Sequence, residues 1–269
     1  MEQANRKIPL DETRINLLLK ETVGTGIDKA KAILAAARNG RKPTLTEIAT
    51  LIHRAIDIEN GLFEAAAEIK QTIYGNRIIL FAPFYLSNYC ANDCGYCGFR
   101  LSNSEAARTV LSREEAIEGV RQLHRRGYRR LLLESAENSQ ALPIDELCTI
   151  MRDIYNLKDA RGRPIIDRLN VNIAATTEEN FRKLLGANIG TYNLFQETYH
   201  RETYEAIHPR GPKHNYERQF FAHDIAISAG IGDVGLGVLY GLYDWKFELL
   251  AQIIHARYLE EAYGIGPHT

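Results

Sequence analysis

The sequence predicts an α/β protein: a partial parallel (β/α) barrel of about five β/α units over residues 77–269, preceded by a helical cap over residues 1–76. Three observations carry this. Apolar residues recur at helical spacing from about 10 to 75, with no strand pattern. From residue 77 short apolar runs alternate with amphipathic helices, the signature of parallel β/α units. Polar and acidic residues follow the predicted strands, which is where such barrels keep their chemistry.

In chain order, Leu17–Leu19 are followed by Ala30, Ile33, Leu34 and Ala37 at helical spacing. Thr44-Leu45-Thr46-Glu47 opens a helix carrying Ile48, Leu51, Ile52, Ala55 and Ile56, and a further apolar face runs through Phe63, Ala66 and Ile69. Asp28, His53 and Glu59 in this cap read as solvated or structural. The first strand is read as 78–86, a buried run from Ile78 to Leu86. Ser112-Arg113-Glu114-Glu115 caps a helix whose apolar face is Ala116, Ile117, Val120 and Leu123, stopped by Gly127. Strand two is Leu131–Leu133 and its helix runs through Ile144, Leu147 and Ile150. Strand three is 169–174, with a helix from near Thr177; strand four is 191–195; strand five is 234–239, leading to a last helix at about 244–262. The strand ends hold Glu134 to Glu137, Asn172 to Thr176, Gln196 to Tyr199 and Tyr240 to Tyr243. Acidic residues there also suit the capping of the next helix.

The chain has 269 residues, 45% hydrophobic and 25% charged, with a formal net charge of −1. That supports one sizeable core and gives no electrostatic case for nucleic acid or anionic membrane as a partner. Four cysteines, three of them crowded together, are not a disulfide framework and fit a reducing, cytoplasmic setting. Met1 to Lys7 contain no apolar signal core.

The crowded cysteines are Cys90, Cys94 and Cys97, spaced C-x3-C-x2-C in the loop after strand one. Thiolates select zinc, copper(I) or iron–sulfur clusters. Structural zinc closes four positions, usually from paired modules, and no second pair stands elsewhere. A four-iron cluster held by three cysteines keeps one iron open. Amides of Gly95 and Gly98 are candidates to hydrogen-bond the sulfides. A zinc loop completed by a distant histidine stays open on spacing alone. Cys148, alone on a helix, reads as a small core residue.

C-x3-C-x-aromatic-C after the first strand, with Tyr96 as the aromatic, resembles the radical S-adenosylmethionine (radical SAM) superfamily. Leu86-Ser87-Asn88-Tyr89 before the loop and Cys97-Gly98-Phe99 after it look like its tyrosine-cleaving branch. Val171 to Thr177, Leu194 to His200, His208 to His214, Gly235 to Leu242 and Gly266 to Thr269 resemble the iron–iron hydrogenase maturases of that branch. The Gln-Glu-Thr-Tyr segment is shared with its other group, the 2-iminoacetate synthases.

The resemblance implies a barrel of the radical SAM type and two cofactors, a [4Fe–4S] cluster on Cys90, Cys94 and Cys97, and S-adenosylmethionine chelating the open iron. Glu137 is implied to receive the methionine amino group, in a segment where Ser135-Ala136 replace the family's glycines. Glu197 is implied at the ribose, the backbone of Tyr96 and of Tyr240-Gly241 at the adenine, and Asn172 and Thr176 at the pocket. No catalytic side chain is implied, because the radical is generated on the cofactor. The implied substrate is L-tyrosine, cleaved between Cα and Cβ to p-cresol and dehydroglycine. The implied electron partner is a reductant such as flavodoxin or ferredoxin. In the maturases dehydroglycine is broken further to carbon monoxide and cyanide on a second cluster, whereas in the synthases it is the product. The sixth, arginine-bearing strand and the cysteine-bearing C-terminal domain of the maturases are expected beyond Thr269, so this chain reads as a fragment with an exposed edge on strand five. A cluster-carrying protein without turnover is the reading from another class. His208, Arg210, Lys213 and His214 form a basic loop that either covers the pocket, meets the tyrosine carboxylate or serves as structure. Arg125, Arg126, Arg129 and Arg130 read as a solvated face, and His255 as structural.

Overall fold

Side-chain caps set where the first helices begin. In the computed structural model, which describes residues 7–269, the Asp11 carboxylate accepts the Arg14 N–H (3.1 Å) and opens α1 (Glu12–Thr22). After α2 (Ile27–Arg38), a reciprocal Thr44/Glu47 capping box starts α3 (Leu45–Arg54), as its sequence signature predicts. α4 follows over Glu59–Tyr74. The first six residues of the predicted cap, and most of the Met1 to Lys7 reading, lie outside the described residues.

Two compact units emerge: residues up to Ile79 with Tyr240–His255, and Leu80–Leu239 with Ala256–Thr269. In the first, Ala30, Leu34, Ile58 and Ala65 form a small core with Leu51 and Leu62 against it. The face read through Phe63 and Ile69 is not the packing face, since both are more than half exposed. α4 buries the stripe through Leu62 and Ala65 instead. His53 is structural, its Nε2 lying 2.8 Å from the Leu19 carbonyl.

The second unit holds a parallel sheet in the order β1 (Ala82–Ser87), β2 (Arg130–Ser135), β3 (Arg168–Asn172), β4 (Tyr192–Asn193), β5 (Val234–Gly235). Between them run α5 (Arg113–Arg125), α6 (Ile144–Asn156), α7 (Glu178–Gly186), α8 (Arg201–Ile207), α9 (Tyr216–Phe220) and α10 (Ala222–Ser228); α11 (Trp245–Tyr263) comes last and begins in the first unit. The Ser112 box, the Gly127 stop at φ +95° and the Thr177 cap all stand where the sequence puts them. Leu131, Leu133, Leu169, Val171 and Tyr192 are fully buried against the helices. Cys148 is buried in the same core.

β2 is longer than its predicted run of Leu131–Leu133, and β1 is shorter than its own. β1 starts at Ala82, where its register with Leu131 begins, and Ile78 to Phe81 are exposed rather than buried. A strand exists only where a neighbour supplies its hydrogen bonds. β3 likewise ends before its predicted run does. β4 and β5 instead stay bonded beyond their ends, through Leu194 N–H to the Gly235 carbonyl (3.1 Å), Gln196 N–H to the Gly237 carbonyl (2.9 Å), Leu239 N–H to the Glu197 carbonyl (2.8 Å) and a parallel bridge from Glu197 to Val238. α8, α9 and α10 were not read from the sequence. Strand five does not have an open outer edge either. His268 N–H donates to the Val234 carbonyl (3.0 Å), and Leu236 N–H donates to the Thr269 carbonyl (2.8 Å). The basic face pairs at the surface, Arg125 with Glu118 and Arg129 with Asp167.

His223 on α10 is buried, its Nε2 bonded to the Gly235 carbonyl at 2.9 Å, and burial holds its pKa down to about 4. An unfolded histidine takes a proton below about 6.5, which the folded one refuses until about 4. Its contribution is therefore present above that unfolded value and is lost as pH falls through this window. We expect about 2 kcal/mol less stability at pH 5 than at pH 7.5 from this residue. Buried His208, also held near 4, adds a loss of the same sign. Thermal unfolding across this range should show the fall, and His223→Gln should flatten it by His223's share; an unaltered profile would refute the assignment.

Candidate functional site

The loop after β1 is tied from both sides. Ala91 N–H donates to the Glu137 carbonyl (2.8 Å) beyond β2, and Gly95 N–H donates to the Ile207 carbonyl (2.8 Å) at the end of α8. Cys97 N–H turns back to the Cys94 carbonyl at 3.0 Å. The Gly95 amide, expected at the sulfides, is thus engaged elsewhere. The amides that reach sulfur are those of Asn92, to Cys90 Sγ, and Phe99, to Cys97 Sγ, each at 3.4 Å.

This loop and the ends of β1 to β4 enclose a cavity of about 180 Å³. Cys90, Cys94, Cys97, Tyr96, Glu137, Asn172 and Glu197 all line it, so seven of the residues singled out from the sequence are brought together. Thr176 lines a neighbouring cleft. Tyr240 and Gly241 belong to the first unit and are not in this set: the Tyr240 hydroxyl donates to Gln252 at 3.5 Å, and Gly241 adopts φ +108°.

Of the three acidic residues lining the cavity, Glu134, Glu137 and Glu197, the last two arrive paired. Glu137 accepts from Asn92 Nδ2 and from Arg218 Nη2, each at 2.6 Å, and Arg218 also donates to the Ala175 carbonyl. Glu197, at a left-handed φ of +69°, accepts from Lys213 Nζ at 2.6 Å. A non-glycine residue in that region is held there by its surroundings. The Lys213 N–H in turn donates to Asn92 Oδ1 at 2.8 Å, so one asparagine ties the cysteine loop, Glu137 and the basic loop together.

The basic loop proves to be a clamp on the thiols' loop. Arg210 pairs with Asp93 at 2.9 Å, and His214 Nδ1 lies 2.6 Å from the His208 carbonyl. His208 is fully buried, and burial followed by the Lys213 charge holds it near 4, so it is neutral. Its Nδ1 sits 2.8 Å from the Tyr204 carbonyl, which assigns the proton there and leaves Nε2 to accept the Tyr96 hydroxyl at 3.0 Å. Burial, then the Glu197 charge, pushes the Tyr96 phenol well above its ordinary range. Asn92, Lys213 and Arg218 are the site residues that sequence reasoning missed or left undecided. Arg218 sits on α9, which carries no long periodic signal.

Lys213 and Glu197 keep only 15% and 13% of their side-chain surface exposed. Removing one partner leaves an uncompensated charge away from water. Lys213→Met should cost about 2 kcal/mol, below the fully buried range because both groups retain some solvent. Glu197→Gln in the same chain should recover most of it. Urea unfolding of the four-member cycle measures the coupling, and strictly additive losses would show that the pair is not coupled.

The chain's sequence matches the profile of the Radical SAM superfamily over residues 84–255. The chain belongs to that superfamily. Radical SAM proteins use a [4Fe–4S] cluster and S-adenosylmethionine, and these are the cofactors here. The donor set fits them: three thiols outside any disulfide line one cavity, with amide donors on two of the sulfurs. Among the described residues no three His, Cys, Asp or Glu side chains gather tightly enough for one metal ion. A cluster instead spreads its thiolates over separate irons.

The 2-iminoacetate synthase of Salmonella typhimurium is 28% identical over 265 residues, covering 96% of this chain and 64% of its own. A crystal structure of HydG, a maturase of the [FeFe]-hydrogenase, superposes with a TM-score of 0.92 at 47% identity, over 97% of this chain and 57% of that one. The HydG maturase of Carboxydothermus hydrogenoformans gives 0.84 at 38% identity, over 96% and 59% respectively. The chain thus spans about three-fifths of these relatives' length. Among the described residues, no helix is long and apolar enough to cross a membrane.

Proposed function

We propose that this chain is the radical-generating part of a tyrosine lyase of the HydG type, cleaving L-tyrosine between Cα and Cβ to p-cresol and dehydroglycine. The observation that carries the reading is the 47% identity at a TM-score of 0.92 to a HydG structure, joined to the cavity that collects three thiols and three acidic side chains. When bound, the cluster and S-adenosylmethionine supply one-electron cleavage of a sulfonium and a radical able to take hydrogen from the substrate.

The protein's own part is binding and orientation. Cys90, Cys94 and Cys97 would hold three irons. Glu137, steadied by Asn92 and Arg218, would accept the amino group of the methionine moiety, and Glu197 would accept the ribose hydroxyls once Lys213 yields. Asn172, which lines the cavity at the end of β3, would border the bound group. Tyr96 backs the thiol loop through His208. A flavodoxin or ferredoxin would deliver the electron. Formation of carbon monoxide and cyanide is proposed only for a longer chain that also carries a second cluster. The 28% identity to a 2-iminoacetate synthase over nearly the whole chain favours a second reading, in which dehydroglycine is itself the product.

Anaerobic reconstitution with iron and sulfide, followed by assay with L-tyrosine, S-adenosylmethionine and a low-potential reductant, tests both. 5′-Deoxyadenosine and p-cresol should form together. A loaded protein that binds S-adenosylmethionine yet yields neither would refute the lyase reading and leave a cluster carrier.

A further inference from the structure

The strand registers place Tyr85 of β1 opposite Glu134 of β2, and Glu134 opposite Asn172 of β3. In a parallel sheet, residues in one transverse row project to the same face. All three line the same cavity as the thiols. The row therefore forms a polar strip beneath that site, a carboxylate with a phenol on one side and an amide on the other.

Glu134 differs from the other two acidic residues of the cavity. Glu137 and Glu197 each hold a cation, whereas among the described residues no cation pairs with Glu134. Its neighbour is a phenol. The Tyr85 hydroxyl is pushed up to about 12, by burial first and then by Glu134 beside it. A carboxylate accepts hydrogen bonds through two oxygens with lone pairs to spare, so one phenol leaves room for a second. Aromatic rings stand around it: Phe99 meets Tyr85 edge-to-face at 5.8 Å, and the part-exposed Phe195 lines the same space. An apolar slot with an acceptor at its base is the complement of a hydroxylated aromatic ring.

We infer that Glu134 reads the phenolic hydroxyl of the substrate, with Tyr85, Phe99 and Phe195 forming the slot for its ring. The inference rests on the reading of L-tyrosine as substrate, and makes Glu134 the residue that separates tyrosine from phenylalanine. A site built to bond a hydroxyl rejects an analogue that lacks it, because the acceptor is left desolvated and unmatched.

The test is calorimetric titration of the anaerobically reconstituted protein, with S-adenosylmethionine present, using three probes. These are L-tyrosine, L-phenylalanine and 3-(4-hydroxyphenyl)propionate, which keeps the phenol and lacks the amine. Glu134→Leu should weaken L-tyrosine and the propionate by about tenfold to a hundredfold, the range for a hydrogen bond to a charged group. L-Phenylalanine should bind tighter in Glu134→Leu than in wild type, because the unmatched acceptor that rejects it is gone. Glu134→Gln keeps an acceptor and should lose less, and it decides the matter if the leucine variant fails to load its cluster. Unaltered tyrosine affinity in both variants would overturn the inference alone. Equal weakening of tyrosine and phenylalanine would also overturn it, by assigning Glu134 to the ammonium group. A wild-type protein that loads its cofactors and binds no tyrosine would overturn the substrate reading and this inference together.

Discussion

Replacing Cys94 with alanine is expected to abolish cluster assembly, and with it all formation of 5′-deoxyadenosine. Cys94 is the buried member of the three, and burial pushes its thiol up to about 11. A thiolate at that position needs positive charge beside it, which iron supplies. With one of three protein ligands gone, two thiolates remain to hold a cube that offers its irons one at a time. Cys90→Ala and Cys97→Ala should behave alike, because their sulfurs already receive the Asn92 and Phe99 amides. Cys148→Ala is the control. It removes a sulfur from the helix-facing core and should cost stability without touching the cluster. Iron and sulfide content after anaerobic reconstitution, with the charge-transfer absorbance of the cluster, reads all four. Full cluster content in Cys94→Ala would remove the basis of the functional reading.

Gly211→Ala should be nearly as damaging, although residue 211 lies more than a hundred positions from the cysteines in sequence. Gly211 has φ +95°, and a Cβ there would stand 2.4 Å from Asn92 Oδ1, 2.7 Å from the Ala91 carbonyl oxygen and 2.7 Å from Asn92 Cα. Two of those atoms are backbone and cannot step aside. Strain and clash together should cost about 3 kcal/mol or more. The loop relieves the overlap only by lifting from the cysteine loop. That movement breaks the Lys213 amide contact with Asn92 and frees Asn92 from Glu137. Cluster uptake should fall with stability. Gly162→Ala separates the two causes: its φ is also positive, +74°, but nothing lies within 4 Å of the added carbon. That variant should lose about 1 kcal/mol and load its cluster fully. Equal behaviour of the two variants would mean that close packing at Gly211 is not what holds the loop.

The contrast between these two substitutions shows what was legible in the chain. Cys90, Cys94 and Cys97 announce themselves because their spacing is local, and an unusual residue type at short range needs no fold to be noticed. The strand-end segments holding Glu137, Asn172 and Glu197 could be found because a parallel β/α pattern says that strand ends face one side, and the family resemblance singled these three out of them. The capping boxes at Thr44 and Ser112 and the stop at Gly127 were legible for the same reason, since each is settled within a few residues. Strand lengths were not. Ile78 to Phe81 have the composition of a buried strand, yet among the described residues no strand pairs with them, and the hydrogen bonds that define a strand belong to two segments at once.

Lys213 and Arg218 were hidden by the same limit. One lies in a glycine- and proline-containing loop, the other on a five-residue helix, and neither segment is long enough to show a period. Their pairing with Glu197 and Glu137 arises from folding across 16 and 81 residues. The amino-acid sequence by itself determined the thiol set, the alternation of strands and helices, and which strand ends could carry chemistry, because those depend on short-range pattern. Only the tertiary structure decided which cation meets which carboxylate, where Gly211 must pass, and that Glu134 stands beside a phenol with no counter-charge among the described residues, because each is a contact between segments separated along the chain.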